Sequence, residues 1–243
     1  MKEWFEDWFD SPYYHLLYQH RNDEEAFAFV ERLTTWLNPA PMSTLLDLAC
    51  GKGRHARAFS EHQLDVTGLD LSPQSIEHAK QFETEHLHFF VHDMRNVFRT
   101  NYFDFTCNLF TSFGYFKSAH DNQLAARSMS QGLKPGGKLV IDFVNQSHAR
   151  RNIEASRQET IHRDDIRFDI ERSYTDTQLL KKISIQDGDV QACFTEAVNS
   201  FTCDAMSALF EAAGLKRIEQ FGTYTLDAYD EEHSPRMILV FTK

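Results

Sequence analysis

Residues 45–60 read LLDLACGKGRHARAFS: an apolar run that ends on an acid, Asp47, then a loop holding Gly51 and Gly53, then a helix-like segment. The apolar run reads as a buried strand and the glycines permit a tight turn. A helix opening at once beyond that turn points unpaired backbone N–H groups at whatever lies above it. Strand, turn and helix in this order are the seed of a parallel α/β sheet, and such folds hold nucleotide-like ligands at this place.

The rest of the chain continues the alternation. Strands are expected in TLLDLA, LDVTGLDL, LHFFVHD and YFDFTCNLF, and after a turn in LKPGGKLVIDFV. Helices are expected over residues 23–38, 54–62 and 119–133, and in SPQSIEHAKQF, where Ser72 is placed to cap and Pro73 takes the first helical position. A helix from Thr202 to Ala213, stopped by Gly214, precedes two last strands, LKRIEQFG and RMILVFT. Five apolar strands separated by helices predict an α/β fold: a Rossmann-like, doubly wound, mostly parallel sheet.

One region breaks the pattern. In IRFDIERSY, Ile166, Phe168 and Ile170 alternate strictly with Arg167, Asp169 and Glu171. LLKKISIQ and VQACFTEAV flank Asp187-Gly188, a hairpin signal. Residues 157–199 are therefore expected to form a three-stranded antiparallel meander. Turns at Asp176-Thr177 and Asp187-Gly188 would align Ile170, Ile183 and Ala192, and would put Arg172, Lys181 and Phe194 in line with Glu196 diagonal to Lys181. The expected organisation is a helical segment over 1–40, the first part of a Rossmann-like domain over 41–148, an inserted antiparallel subdomain at 149–200, and completion of the sheet by 201–243.

Composition narrows the partners. At 243 residues with 42% hydrophobic content the chain can bury a full core, and its net charge of −11 opposes binding to a phosphate backbone. The four cysteines show no C-x-x-C spacing, which argues against a structural zinc or a disulfide framework. MKEWFEDWFD lacks the basic end and apolar stretch of a leader, and no apolar run approaches the roughly 20 residues that span a bilayer. The expectation is a cytoplasmic protein with a small-molecule partner, no nucleic acid, no membrane and no metal.

Gly51-x-Gly53-x-x-Ala56 fits a dinucleotide fingerprint, and Asp70 stands about 20 residues on, where a ribose-binding acid belongs. Asp47 argues otherwise, because a carboxylate at that strand end opposes a pyrophosphate and suits an ammonium or sulfonium group. Asp70-Leu71 and Asp93-Met94 each follow a strand end. One offers acceptors to ribose hydroxyls and the other to an exocyclic amine. A nicotinamide-dependent oxidoreductase and a non-catalytic nucleoside sensor remain alternatives at this point.

LLDLACGKGRH, VTGLDLS, HDMRNV, FDFTCNLFTSFGYF, LKPGGKLVIDF and ALFEAAGLKRIEQFG resemble, in order and spacing, the motif series of class I S-adenosylmethionine-dependent methyltransferases. The resemblance runs from about residue 12 to the C-terminus, with Ala49 in place of the first glycine of D/E-x-G-x-G-x-G. It implies a seven-stranded sheet with its last strand antiparallel. It also implies that Asp47, Ala49, Gly51 and Gly53 cradle the methionine part of the cofactor. Asp70 and Leu71 would bind the ribose and adenine face, Asp93 and Met94 the adenine, and Asn108, Leu109 and Phe110 would face the methyl donor, S-adenosylhomocysteine being the product.

SPYYHLLYQHRN places Tyr14, Tyr18 and Arg21 on one helical face, and together with FTSFGYF and the meander it resembles small-molecule methyltransferases, amino-sugar N-methyltransferases among them. By that resemblance Arg21 pairs with the cofactor carboxylate and Tyr14 and Tyr18 close over it, although VNQSHARRN departs from the aromatic, proline-containing version. Tyr14 and Tyr115 are the expected catalytic side chains, with His15, His120 and His148 as further candidates for a base. Tyr115, His148, Arg172 and Glu196 are the expected acceptor contacts, and the charged end of the meander alternatively pairs across a homodimer.

Overall fold

The structure, a computed structural model, describes residues 4–18 and 23–243. Its centre is a seven-stranded sheet made of β1 (Thr44–Leu48), β2 (Asp65–Asp70), β3 (Leu87–Val91), β4 (Phe103–Asn108), β5 (Leu133–Val144), β10 (Lys216–Phe221) and β11 (Arg236–Thr242). The order is β10-β11-β5-β4-β1-β2-β3, all pairs parallel except those of β11, which runs antiparallel between β5 and β10. The doubly wound sheet with one antiparallel strand therefore stands as expected. Strand order reverses between β1 and β4, and at such a switch point the loops leaving the carboxyl ends of the strands part to form a crevice.

Apolar faces seat the helices. α3 (Asp23–Leu37), α4 (Arg54–Ser60) and α5 (Pro73–Ala79) bury Val30, Leu33, Phe59 and Ile76 on one face of the sheet. α6 (Ala119–Gly132) and α8 (Cys203–Glu211) bury Ala125, Met129, Met206 and Phe210 on the other. Burying side chains of this size stabilises the layers by about 1.5–3 kcal/mol each. The caps follow the sequence: Ser72 Oγ accepts from Ser75 N–H at 3.0 Å, and Thr202 Oγ1 from Ala205 N–H at 3.1 Å. In β5 the KPGG stretch lies inside the strand as a bulge between the Phe103 and Phe105 pairings, where a turn before the strand was expected.

The inserted sheet differs in three ways from the sequence reading. It has four strands, because Gln158–Arg163 (β6) pairs with Ile166–Tyr174 (β7) ahead of Gln178–Asp187 (β8) and Val190–Asn199 (β9). A helix, α7 (Gln146–Ala155), capped by the Asn145 side chain on Ser147 N–H, connects it to β5. The second hairpin turns on Gly188-Asp189, since Gly188 takes φ +54° at the first central position, the place where a two-residue II′ turn demands glycine. Ile183 therefore faces Phe194, and Lys181 faces Glu196 directly.

α1 (Trp4–Phe9) and α2 (Pro12–Leu17) lie under this sheet, with Trp8 and Leu17 packed against Phe168, Ile170, Ile183 and Ile185. α2 ends at Leu17 with Tyr18 as its C-cap. Arg21 lies outside the described residues.

Candidate functional site

The crevice at the switch point opens into a cavity of about 1390 Å³ bounded by the sheet, α1–α2, α7 and the inserted strands. Cavities of this size take a drug-sized ligand together with a second molecule.

Its floor is the glycine loop. Ala49 at φ +63°, Gly51 at +56° and Gly53 at +84° turn the chain through successive left-handed steps, so the loop backs onto the cavity and α4 starts at Arg54. Gly51 takes this conformation without the strain that Ala49 bears, whereas Gly53 has a packing reason besides: a Cβ there would come within 2.7 Å of the Phe89 ring. Ala49 and Gly51 line the cavity; Gly53 does not.

Asp47 sits beneath the loop, 1% exposed and outside the lining. Burial, followed by the nearby charge of Asp70, pushes its pKa up to about 7, and among the described residues its Oδ2 has no hydrogen-bond partner. Burial thus favours the neutral acid in the empty site, and a cation on the far side of the loop would favour the ionised form, which opposes a diphosphate. Asp70 lines the cavity, with Oδ2 accepting from Gly51 N–H and Oδ1 from Ser72 N–H, both at 2.8 Å. Burial raises its pKa, and the backbone N–H groups of Ser72, Gly51 and Leu71 work against that rise. Each oxygen keeps lone-pair capacity for a hydroxyl.

Leu71, Asp93 and Met94 line the same wall. Burial pushes the Asp93 carboxyl up, but Arg95 grips it with Nε at 3.1 and 3.0 Å and Nη2 at 2.6 Å and holds it below its ordinary value. Leu109 and Phe110 reach the cavity, whereas Asn108 is fully buried and donates to the Leu48 carbonyl at 2.8 Å, tying β4 to β1.

Tyr14 and Tyr115 both line the cavity, with Phe9 packed against each at ring distances of 5.0 and 5.1 Å. His15 lines it as well. Burial and the charge of Lys52 lower its pKa to about 4, so the imidazole is neutral near pH 7 and a weak base. His148 lines the cavity from α7, while His120 does not.

The roof is the charged end of the inserted sheet. Arg172, Lys181 and Glu196 are direct cross-strand neighbours and all three line the cavity. Arg172 is bonded to Glu159 at 2.6 Å. Glu196 Oε1 accepts from the Trp8 indole at 2.7 Å and the Tyr18 hydroxyl at 2.8 Å, and Lys181 Nζ donates to the same hydroxyl. Tyr18 thus ties the end of α2 to the inserted sheet. Among the described residues no three His, Cys, Asp or Glu side chains are grouped to hold a metal ion, and no helix is long and apolar enough to cross a membrane.

Sequence reasoning missed Asp142 and Arg236. Asp142 is 1% exposed on β5, and Arg236 Nε reaches its Oδ1 at 2.7 Å from β11, so that the guanidinium lines the cavity. The signal was available: VIDFV carries an acid in the middle of an apolar strand.

Residues 18–220 match a family profile described as a methyltransferase domain. Over 101 residues the chain is 36% identical to a dTDP-3-amino-3,4,6-trideoxy-alpha-D-glucopyranose N,N-dimethyltransferase of Streptomyces venezuelae, an alignment covering 41% of this chain and 42% of that one. A second relative, a dTDP-4-amino-2,3,4,6-tetradeoxy-D-glucose N,N-dimethyltransferase of Saccharopolyspora spinosa, is 34% identical over 49% of this chain and 46% of its own. The matches thus span less than half the length of these relatives. In fold, the chain is similar to an S-adenosylmethionine-dependent methyltransferase of Clostridium acetobutylicum, with a TM-score of 0.77, 18% identity and 95% of both chains covered. It is also similar to SAM-bound CalS10, an amino pentose methyltransferase of Micromonospora echinaspora, with a TM-score of 0.65, 20% identity and 96% and 97% coverage.

Proposed function

Because this chain belongs to the methyltransferase-domain family, we propose that it transfers a methyl group from S-adenosylmethionine to an amine of a small, sugar-like acceptor. The observation that carries this reading is the pairing of Asp47 beneath the glycine loop with Asp70 above it: two acids around one turn suit a cationic nucleoside and repel a diphosphate.

Bound S-adenosylmethionine supplies a methyl group already activated by its sulfonium. The protein's part is then proximity and alignment. Asp70 fixes the ribose through oxygens that Gly51 and Ser72 have already oriented. Leu71, Asp93 and Met94, which line one wall of the cavity, would hold the adenine, and Ala49 and Gly51 would hold the methionine part. Tyr14 and Tyr115, packed on Phe9, wall the reacting centre and exclude water. The His15 ring is neutral near pH 7 and a weak base, so it accepts a hydrogen bond more readily than it removes a proton, and the transfer needs an amine that is already unprotonated. Arg172 and Lys181 on the roof suit an acceptor with polar or anionic groups beyond its amine, a choice supported by the amino-sugar relatives.

Calorimetric titration with S-adenosylhomocysteine, run beside NADH, tests the donor. Micromolar binding of the first alone is expected, and binding of NADH instead overturns the reading.

A further inference from the structure

At the end of β4 the chain leaves the sheet through two consecutive non-glycine residues in the left-handed region, Phe110 at φ +65° and Thr111 at +58°. L side chains crowd their own backbone there, and such a pair persists only where its surroundings hold it. Asp142 Oδ2 accepts from Phe110 N–H at 2.8 Å, and the Asp142 carbonyl accepts from Thr111 N–H at 2.9 Å. Arg236 donates through Nε to Asp142 Oδ1 at 2.7 Å and through Nη2 to Thr111 Oγ1 at 2.9 Å. The Phe110 ring stacks on Tyr224 at 6.3 Å, and the Tyr224 hydroxyl donates to Asp142 Oδ2 at 3.1 Å.

A buried ion pair is a poor stabiliser beside apolar residues of the same volume. Asp142 and Arg236 are therefore not accounted for by stability alone. Between them they grip both strained residues, and Phe110, Thr111 and Arg236 all line the cavity.

We propose that Asp142 and Arg236 are positioning residues for methyl transfer: they hold Phe110–Thr111 in the left-handed conformation in which it walls the donor end of the cavity. The inference rests on the donor assignment above. A purely structural pair would respond differently to a glycine at the strained position, because glycine takes φ +58° unaided.

S-adenosylhomocysteine is titrated into wild type, Arg236→Leu, Arg236→Lys and the double variant Arg236→Leu/Thr111→Gly, with thermal midpoints and hydrogen exchange of the Phe110 and Thr111 amides measured alongside. Arg236→Leu should raise Kd about tenfold and speed exchange at both amides, the scale expected when one left-handed residue is released. Arg236→Lys keeps a charge beside Asp142 but cannot fork to Thr111, so it should fall between. The double variant should regain most of the affinity while its thermal midpoint stays low. Unchanged Kd and exchange in both single variants overturns the role, as does loss of affinity that the glycine does not rescue. Wild type that fails to bind overturns the donor assignment instead, and the exchange rates then decide whether the pair holds the segment.

Discussion

The backbone N–H of Gly51, in the loop after β1, donates to Oδ2 of Asp70 at the end of β2 over 2.8 Å. The other oxygen of the same carboxylate takes Ser72 N–H, so one side chain ties two loops together and is aimed before any ligand arrives. Asp70→Ala should raise the Kd of S-adenosylhomocysteine by about 10- to 100-fold, the value of hydrogen bonds to a charged group. Calorimetry on the two proteins reads this directly, and an unchanged Kd would remove Asp70 from the ribose site.

Asp47 sets a pH signature. Its folded pKa stands at about 7 against an ordinary 3.8, so between those values the folded chain keeps a proton that the unfolded chain has lost. Stability from this group is thus intact below about pH 4 and is lost as pH rises through 7. Asp47→Asn cannot ionise; the ligand-free variant should lie near wild type at about pH 4 and exceed it by roughly 4 kcal/mol at pH 8. Urea denaturation at both pH values checks the sign, and a variant less stable at pH 8 contradicts it.

Phe89 is wedged between two glycines. A Cβ at Gly68 would stand 2.5 Å from its ring, and one at Gly53 would stand 2.7 Å from it. Gly68→Ala should cost about 1–3 kcal/mol by overpacking, and Phe89→Leu in that background should recover part of it. Additive losses in a denaturation series would show that the clash is relieved elsewhere.

Glu196 joins the N-terminal helices to the inserted sheet. Glu196→Ala leaves the fully buried Trp8 indole without its acceptor and should lower stability by about 1–3 kcal/mol, with a red shift of tryptophan emission. Glu196→Gln keeps an oxygen for Trp8 and Tyr18 and should cost less. Equal losses would mean that the charge against Lys181, not the indole bond, fastens these helices to the sheet.

Local chemistry made much of the fold legible. Ser72-Pro73 and Thr202 mark helix starts because capping depends on residues only three apart. The Ile170–Ile183 register was legible for the same reason, but the Ile183–Phe194 register was not: shifting a two-residue turn by one position moves the pairing by two, and both DG and GD turns suit the sequence. The Asp142–Arg236 contact lay beyond reach, since it joins residues 94 apart through a strand order that only the folded sheet defines. Asn108 shows the opposite limit: a motif position can be buried as a strand-to-strand tie without touching the cavity.

β11 enters the sheet between β5 and β10, and its first residue is Arg236. During synthesis the glycine loop, the acids and the aromatic wall all emerge before it, yet the Phe110–Thr111 turn has no guanidinium to brace it until the last strand slides home. Chain order thus makes the bracing of this turn a late step in folding, taken after the strands that carry the glycine loop and the acids have been made.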